Sequence, residues 1–171
     1  MIRIRKEKQK DHDEVRIVNE QAFGQPDEGR IVDKLRESCK ETVSLIAVSN
    51  NEIIGHIFFS PVTIETPAGC IKGMGLAPMA VLPELQNQGV GSMLVNEGVR
   101  ILKKMSCPFV IVLGHENYYP RFGFERASNY GLKCQWEGVP DDAFMVLILD
   151  ESVMKGVSGI AKYRDEFDAA M

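Results

Sequence analysis

The chain has 171 residues, 44% of them hydrophobic and 26% charged, with a formal net charge of -4. That length and balance fit one soluble globular domain, and the acidic net charge excludes general attraction to nucleic acid or anionic membranes. Four cysteines (Cys39, Cys70, Cys107, Cys134) and three histidines (His12, His56, His115) lie scattered, without metal-ligand spacing or a CxxC pair, so no metal is expected. No apolar leader follows the N-terminal charges, and the longest apolar runs are far shorter than a membrane span, so the expected location is cytoplasmic.

Alternating Ile and Arg over residues 2–6 predict a first strand, and the basic residues Arg3, Arg5, Lys6, Lys8 and Lys10 read as a solvated edge. Asp11 and Glu14 have capping-box spacing and predict a helix whose apolar stripe is Val15, Val18, Ala22 and Phe23. Gly24-Gln25-Pro26 breaks it, and a second helix is expected over residues 28–38. Residues 44–49 and 52–60 read as a hairpin turning at Asn50-Asn51, the second strand reaching about residue 65. A further strand is expected over residues 70–81.

The next helix is predicted over residues 88–105, with Val90, Leu94, Ile101, Leu102 and Met105 on one face. Gly98 inside it implies close packing on the sheet. Phe109–Leu113 reads as a strand buried on both faces, making a strand-helix-strand unit and hence a parallel pair. A short helix over 118–122 follows, then two strands near 124–135 and 143–149. Ile160, Tyr163 and Phe167 have helical spacing in a tail, residues 156–171, that packs back on the rest. The expected fold is a single α/β (α+β) domain with a mixed, mostly antiparallel sheet, a central parallel strand pair and flanking helices.

The most informative stretch runs from Met79 to Ser92: a strand, a turn with Gly89 and Gly91, and a helix start. Free backbone N–H groups at such a junction, backed by the positive end of the helix dipole, bind phosphate or pyrophosphate. Gly-x-Gly alone is a weak signal, since many such turns only join a strand to a helix. No Gly-Lys-Ser/Thr follows, which excludes a P-loop, and Leu94 stands where a Rossmann fingerprint needs its third glycine.

The wider pattern Val81-x-Pro83-x-x-Gln86-x-x-Gly89-x-Gly91 resembles the acetyl-CoA motif of the GNAT superfamily of N-acetyltransferases, Gln/Arg-x-x-Gly-x-Gly/Ala. Asn117-Tyr118-Tyr119-Pro120-Arg121-Phe122-Gly123-Phe124 resembles the family's second landmark, a tyrosine four residues before a Gly-Phe pair. The element order agrees over nearly the whole chain. Gly55-His56-Ile57 and Gly114-His115-Glu116-Asn117-Tyr118-Tyr119 look like the bacterial YhbS-like branch.

The resemblance implies acetyl-CoA as co-substrate and transfer of acetyl to a primary amine by direct attack, with no covalent enzyme intermediate. It assigns pantetheine contacts to the backbone of Met79 and Val81, with Val81 also supplying an oxyanion contact. Pyrophosphate contacts fall to backbone amides of Gln86, Gln88, Gly89, Gly91 and Ser92, and Asn117 is either a cofactor contact or a helix cap. Tyr119 is the candidate general acid, with Tyr118 as the alternative, because a phenol is protonated at neutral pH and can protonate an expelled thiolate. His115 is the first option for a base; His56, Glu84, Glu116 and solvent remain others. The acceptor pocket is expected between residues 23–28, which include Asp27 and Glu28, and the final strands, with Trp136 lining it or capping the core. Acceptor identity stays open, as does a homodimer, common in the family. The competing reading is a non-catalytic acyl-CoA-binding regulatory module; transfer of a longer acyl chain beside Val81 and Val112 is a third.

Overall fold

The computed structural model describes residues 1–170. Its elements are β1 (Arg3–Lys6), α1 (His12–Phe23), α2 (Asp27–Ser38), β2 (Val43–Ser49), β3 (Glu52–Thr66), β4 (Gly69–Val81), α3 (Val90–Lys104), β5 (Phe109–Leu113), β6 (Glu125–Arg126), β7 (Leu132–Cys134), β8 (Phe144–Ile148), α4 (Glu151–Met154) and β9 (Gly159–Lys162). Among the described residues no helix is long and apolar enough to cross a membrane.

The strands form one sheet in the order β1-β2-β3-β4-β5-β8-β6, and β9 pairs with both β3 and β7. Neighbours run antiparallel except β4–β5, the expected central parallel pair, and a short parallel ladder β7–β9 at the margin. The β2–β3 hairpin turns at Asn50 and Asn51, whose φ values of 52° and 64° are the left-handed pair that its tight turn needs.

Side chains alternate across the strands, so the two faces carry separate cores. One face buries Leu45, Ile57, Phe59, Leu76, Val110 and Val112 against Val90, Leu94 and Leu102 of α3. The other buries Phe58, Val62, Ile64, Phe109 and Ile111 under Ile31, Val32 and Leu35 of α2, while Val15 and Val18 of α1 cover Ile46, Val48 and Ala80. Gly98 is required by the first core: a Cβ there would stand 2.5 Å from the Phe59 ring.

Several expectations need correction. Asp11 does not close a capping box with Glu14. Its carboxylate takes the Lys8 N–H (2.7 Å) and the Arg5 guanidinium, while Glu14 accepts the N–H of Ile53 (2.7 Å), tying α1 to β3. Phe23 and Met105, placed on apolar stripes, are exposed: Phe23 is the last residue of α1 and Met105 is the C-cap beyond α3. The strand expected over 124–135 is broken by a 3-10 turn, Ala127–Tyr130, and a left-handed Gly131 (φ 71°); β6 stays with β8 while β7 crosses to β9. Over residues 156–170 the tail forms β9 and a 3-10 turn rather than a helix. Ile160 faces solvent, while Tyr163 and Phe167 are buried.

Candidate active site

The site begins with a discontinuity in β4. Opposite it, Ile57 pairs with Met79 and Phe59 with Leu76, so β4 spends three steps where β3 spends two. The extra residue forms a bulge at Ala77-Pro78, which bends the strand. The parallel ladder with β5 stops at the same place, its last rung being Leu76↔Val112. Beyond it β4 and β5 part.

This split leaves one edge of β4 open. The Leu82 N–H bonds to Ile54 on β3 (3.0 Å), and successive backbone groups point to opposite edges, so Ala80 also faces β3 while Met79 and Val81 face the split. The Val81 carbonyl accepts the side-chain amide of Gln86 (3.0 Å), which fastens the following loop to the strand end.

At the far end of that loop stands the N-terminus of α3. Gly89 has φ +90°, a left-handed conformation that a side chain would strain, and its carbonyl accepts the N–H of Met93 (3.1 Å) to start the helix. The N–H groups of Gln88, Gly89, Gly91 and Ser92 donate to no acceptor among the described residues. Gln86 differs: its N–H turns toward the Pro83 carbonyl at 3.4 Å, which removes it from the free set. The side chain of Gln88 reaches back to the Glu84 carbonyl (3.3 Å). What remains is a cluster of free amides at the positive end of a fifteen-residue helix, suited to an anion.

The loop after β5 brings the two tyrosines to this place. The His115 carbonyl accepts the N–H groups of Tyr118 (3.1 Å) and Tyr119 (3.4 Å), so His115 shapes the turn through its backbone while its ring is exposed. Asn117 is exposed, and no side chain caps the 3-10 turn that follows; the cap role falls away.

Tyr119 is 7% exposed, edge-on to Tyr118 and Phe124 with centroids 5.1 and 5.6 Å away. Its ring fills the space over Gly114, where a Cβ would come within 2.3 Å. Burial, with Tyr118 adding, raises its pKa above the ordinary phenol value, so it stays protonated.

Tyr118 is only half-buried. Its hydroxyl approaches the Ser92 hydroxyl (3.4 Å), and a Cβ on Gly91 would stand 2.8 Å from that oxygen. The Arg121 guanidinium lies over the Tyr118 ring at 4.4 Å and donates to the Tyr118 carbonyl (2.8 Å). Sequence reasoning ranked Tyr118 second. The signal that could have raised it was Gly91, since a bare backbone at the helix start leaves room for a neighbour.

His56 is not a base. It is fully buried, with its pKa lowered to about 3 by desolvation and the Arg36 charge. The Asn19 side-chain amide bonds to the Val15 carbonyl (3.0 Å) and to Nδ1 of His56 (3.1 Å), which puts the ring proton on Nε2, toward Ser44 Oγ at 2.9 Å. That tautomer is the wrong one for activating a serine, so the Ser44–His56–Asn19 string is structural. Glu116 is exposed, and Asp142 beside it raises its pKa. Glu84 is exposed in the loop.

Other surfaces hold none of these groups. A groove of about 630 Å³ bounded by Arg3, Arg5, Lys8, Lys10, Asp11 and Glu14 lies along β1 and α1. Among the described residues no three His, Cys, Asp or Glu side chains are placed to hold a metal ion.

An interrupted β4–β5 pair with a helix N-terminus beside it is the architecture of an acetyltransferase. The chain belongs to the GNAT family: the acetyltransferase (GNAT) domain matches residues 3–127. It is 34% identical over 148 residues to the uncharacterized N-acetyltransferase YhbS of Escherichia coli strain K12, covering 86% of this chain and 87% of that one. It is 40% identical over 117 residues to the uncharacterized N-acetyltransferase YjhQ of the same strain, covering 67% and 65%. The crystal structure of E. coli YhbS in complex with CoA matches with a TM-score of 0.91, 32% identity and coverage of 98% of this chain and 92% of that one. A GNAT acetyltransferase from Brucella melitensis in complex with acetyl-CoA matches with a TM-score of 0.79, 34% identity and coverage of 98% and 99%.

Proposed function

We propose that this chain transfers acetyl from acetyl-CoA to a primary amine, using the β4–β5 split as the thioester site. The observation that carries this reading is the end of the parallel ladder at Leu76↔Val112, one step before the bulge that turns the Met79 and Val81 backbones outward. Complexes of similar proteins with CoA and acetyl-CoA support it.

In this reading Met79 and Val81 bind the pantetheine arm as a missing strand would. The amides of Gln88, Gly89, Gly91 and Ser92 hold the pyrophosphate, and the Tyr118 hydroxyl, next to Ser92, fixes the adjoining part of the arm. The Val81 N–H polarises the thioester carbonyl, a pre-aimed donor that needs no reorganisation. Acetyl-CoA supplies the activated acyl group.

Tyr119 supplies a proton to the sulfur as the C–S bond breaks and the C–N bond forms. The amine gives up one proton, to solvent or to the exposed His115 ring, and Tyr119 regains one from solvent, so the count balances. The burial that keeps Tyr119 protonated also raises the proton affinity of a thiolate expelled beside it, which preserves the driving force for transfer.

Calorimetry with acetyl-CoA, followed by thiol release across a panel of amines, tests the proposal. Binding with amine-dependent thiol release is expected. Binding without release toward any amine would favour the regulatory module, and no binding would overturn both readings.

A further inference from the structure

On the opposite side of the sheet from Tyr119 stands a second phenol that no step so far uses. Tyr163 follows β9 directly, and its ring lies on the α2 face over Gly75, where a Cβ would come within 2.8 Å of Cε2. Gly75 pairs with Ser60 on β3, one rung from the last β4–β5 pair, Leu76↔Val112. Tyr163 is 6% exposed and Ser60 is 0% exposed, yet neither hydroxyl has a hydrogen-bond partner among the described residues. Partners along a ladder share a face, so both orphaned hydroxyls sit on the α2 face beside the point where the strands part.

An unpaired hydroxyl sealed from water costs stability, and natural folds seldom keep one without a use. Tyr163 is also held firmly. Its N–H bonds to the Gln135 side chain, its ring packs on Trp136 with centroids 5.0 Å apart, and Phe167 meets it edge-on at 5.3 Å. Tyr119 covers Gly114 on the α3 face, two residues beyond Val112, so the phenols flank the split from opposite faces.

We infer that Tyr163, with Ser60, forms the acceptor subsite, and that the acceptor is a primary amine carried on an apolar or aromatic body. This rests on the reading of the split as the thioester site. The Tyr163 oxygen would accept one N–H of the neutral amine, leaving the nitrogen lone pair free to attack the thioester carbon from the face opposite Tyr119. The apolar class follows from the surroundings. Val62, Trp136 and Phe167 pack around the ring, and the carboxylate on Trp136, Asp168, is exposed and already accepts the indole N–H (3.3 Å). A second fixed charge would find no buried partner there.

The test needs no turnover. Trp136 is the only tryptophan, so its emission reports this subsite alone. The full chain is first titrated with coenzyme A by calorimetry, and the loaded protein is then titrated with phenethylamine or with putrescine. Wild-type protein should give a saturable emission change with phenethylamine and a much weaker response to putrescine. Tyr163→Phe should raise the phenethylamine midpoint about tenfold, with coenzyme A affinity unchanged and a melting temperature equal to or above wild type, since the unpaired hydroxyl is removed. An unchanged midpoint, a melting temperature lowered by several degrees (a hydroxyl already paired in the fold), tighter putrescine binding, or no saturable change in loaded wild-type protein would each overturn the inference. Failure of the coenzyme A step would overturn it together with the underlying reading, and the calorimetry tells the two cases apart.

Discussion

Tyr118 and Ser92 meet hydroxyl to hydroxyl at 3.4 Å, joining the loop after β5 to the first turn of α3. Gly91 makes the meeting possible, since a Cβ there would crowd the same Tyr118 oxygen at 2.8 Å. Gly91→Ala should therefore push the phenol away from Ser92. We expect coenzyme A affinity by calorimetry to fall about tenfold, the value of a hydrogen bond to a charged group. Thermal stability should change little, because alanine is the better helix former by about 1 kcal/mol and offsets the displaced side chain. Unchanged affinity would remove Tyr118 from the cofactor site.

Tyr119→Phe keeps the ring over Gly114 and removes only the proton donor. Turnover should drop by about a hundredfold, the lower end of general acid contributions, while acetyl-CoA affinity stays within about twofold of wild type. Steady-state kinetics separate the two constants, and equal turnover would exclude Tyr119 as the acid. Tyr118→Phe should show the converse, a change in affinity with a smaller change in turnover.

His56 makes stability depend on pH. Its folded pKa of about 3 lies below the ordinary imidazole value of 6.5, so the unfolded chain takes up a proton that the folded protein refuses. The stability linked to this group is complete above about pH 6.5 and is lost as pH falls toward 3, by about 1.4 kcal/mol for each pH unit. Urea unfolding between about pH 6.5 and 5, above the range where carboxylates dominate, should show that slope. His56→Gln should flatten it, and a wild-type protein equally stable across the window would contradict the sealed, neutral histidine.

Gly98→Ala tests the packing of α3 on the sheet. The new methyl would stand 2.5 Å from the Phe59 ring, which is itself fully buried and cannot yield easily. Overpacking of this kind costs about 1–3 kcal/mol, outweighing the gain in helix propensity. A melting temperature equal to or above wild type would show that the helix can lift away without loss.

Much of this was legible in the residues, for identifiable reasons. Asn50-Asn51 marked a turn because both residues tolerate the left-handed conformation that they adopt. The run Phe109–Leu113 announced a strand covered on both faces, and Gly98 announced a close approach. The glycine turn before α3 is legible because its geometry is local: a glycine with positive φ and a helix start lie within a few residues. The margin of the sheet was harder. β6, β7 and β9 are two to four residues long, too short for alternation to be counted, and their pairing is decided by distant partners. Tyr163 and Phe167, four residues apart, imitate one face of a helix, whereas a strand end and a 3-10 turn bring them to the same core. Nothing local separates Tyr118 from Tyr119 either; that difference is made by Gly91 and Gly114, each bare where a ring must pass.

The surplus residue at Ala77-Pro78 shifts the phase of β4 by one, so Leu76 and Met79 share a face although they are three apart. Deleting one residue there would bring the two halves of the strand back into step and let hydrogen bonding to its parallel neighbour continue. The result would be a tidier sheet with no opening in it. The opening proposed to take the thioester is thus an error of count, preserved at the middle of an otherwise regular weave.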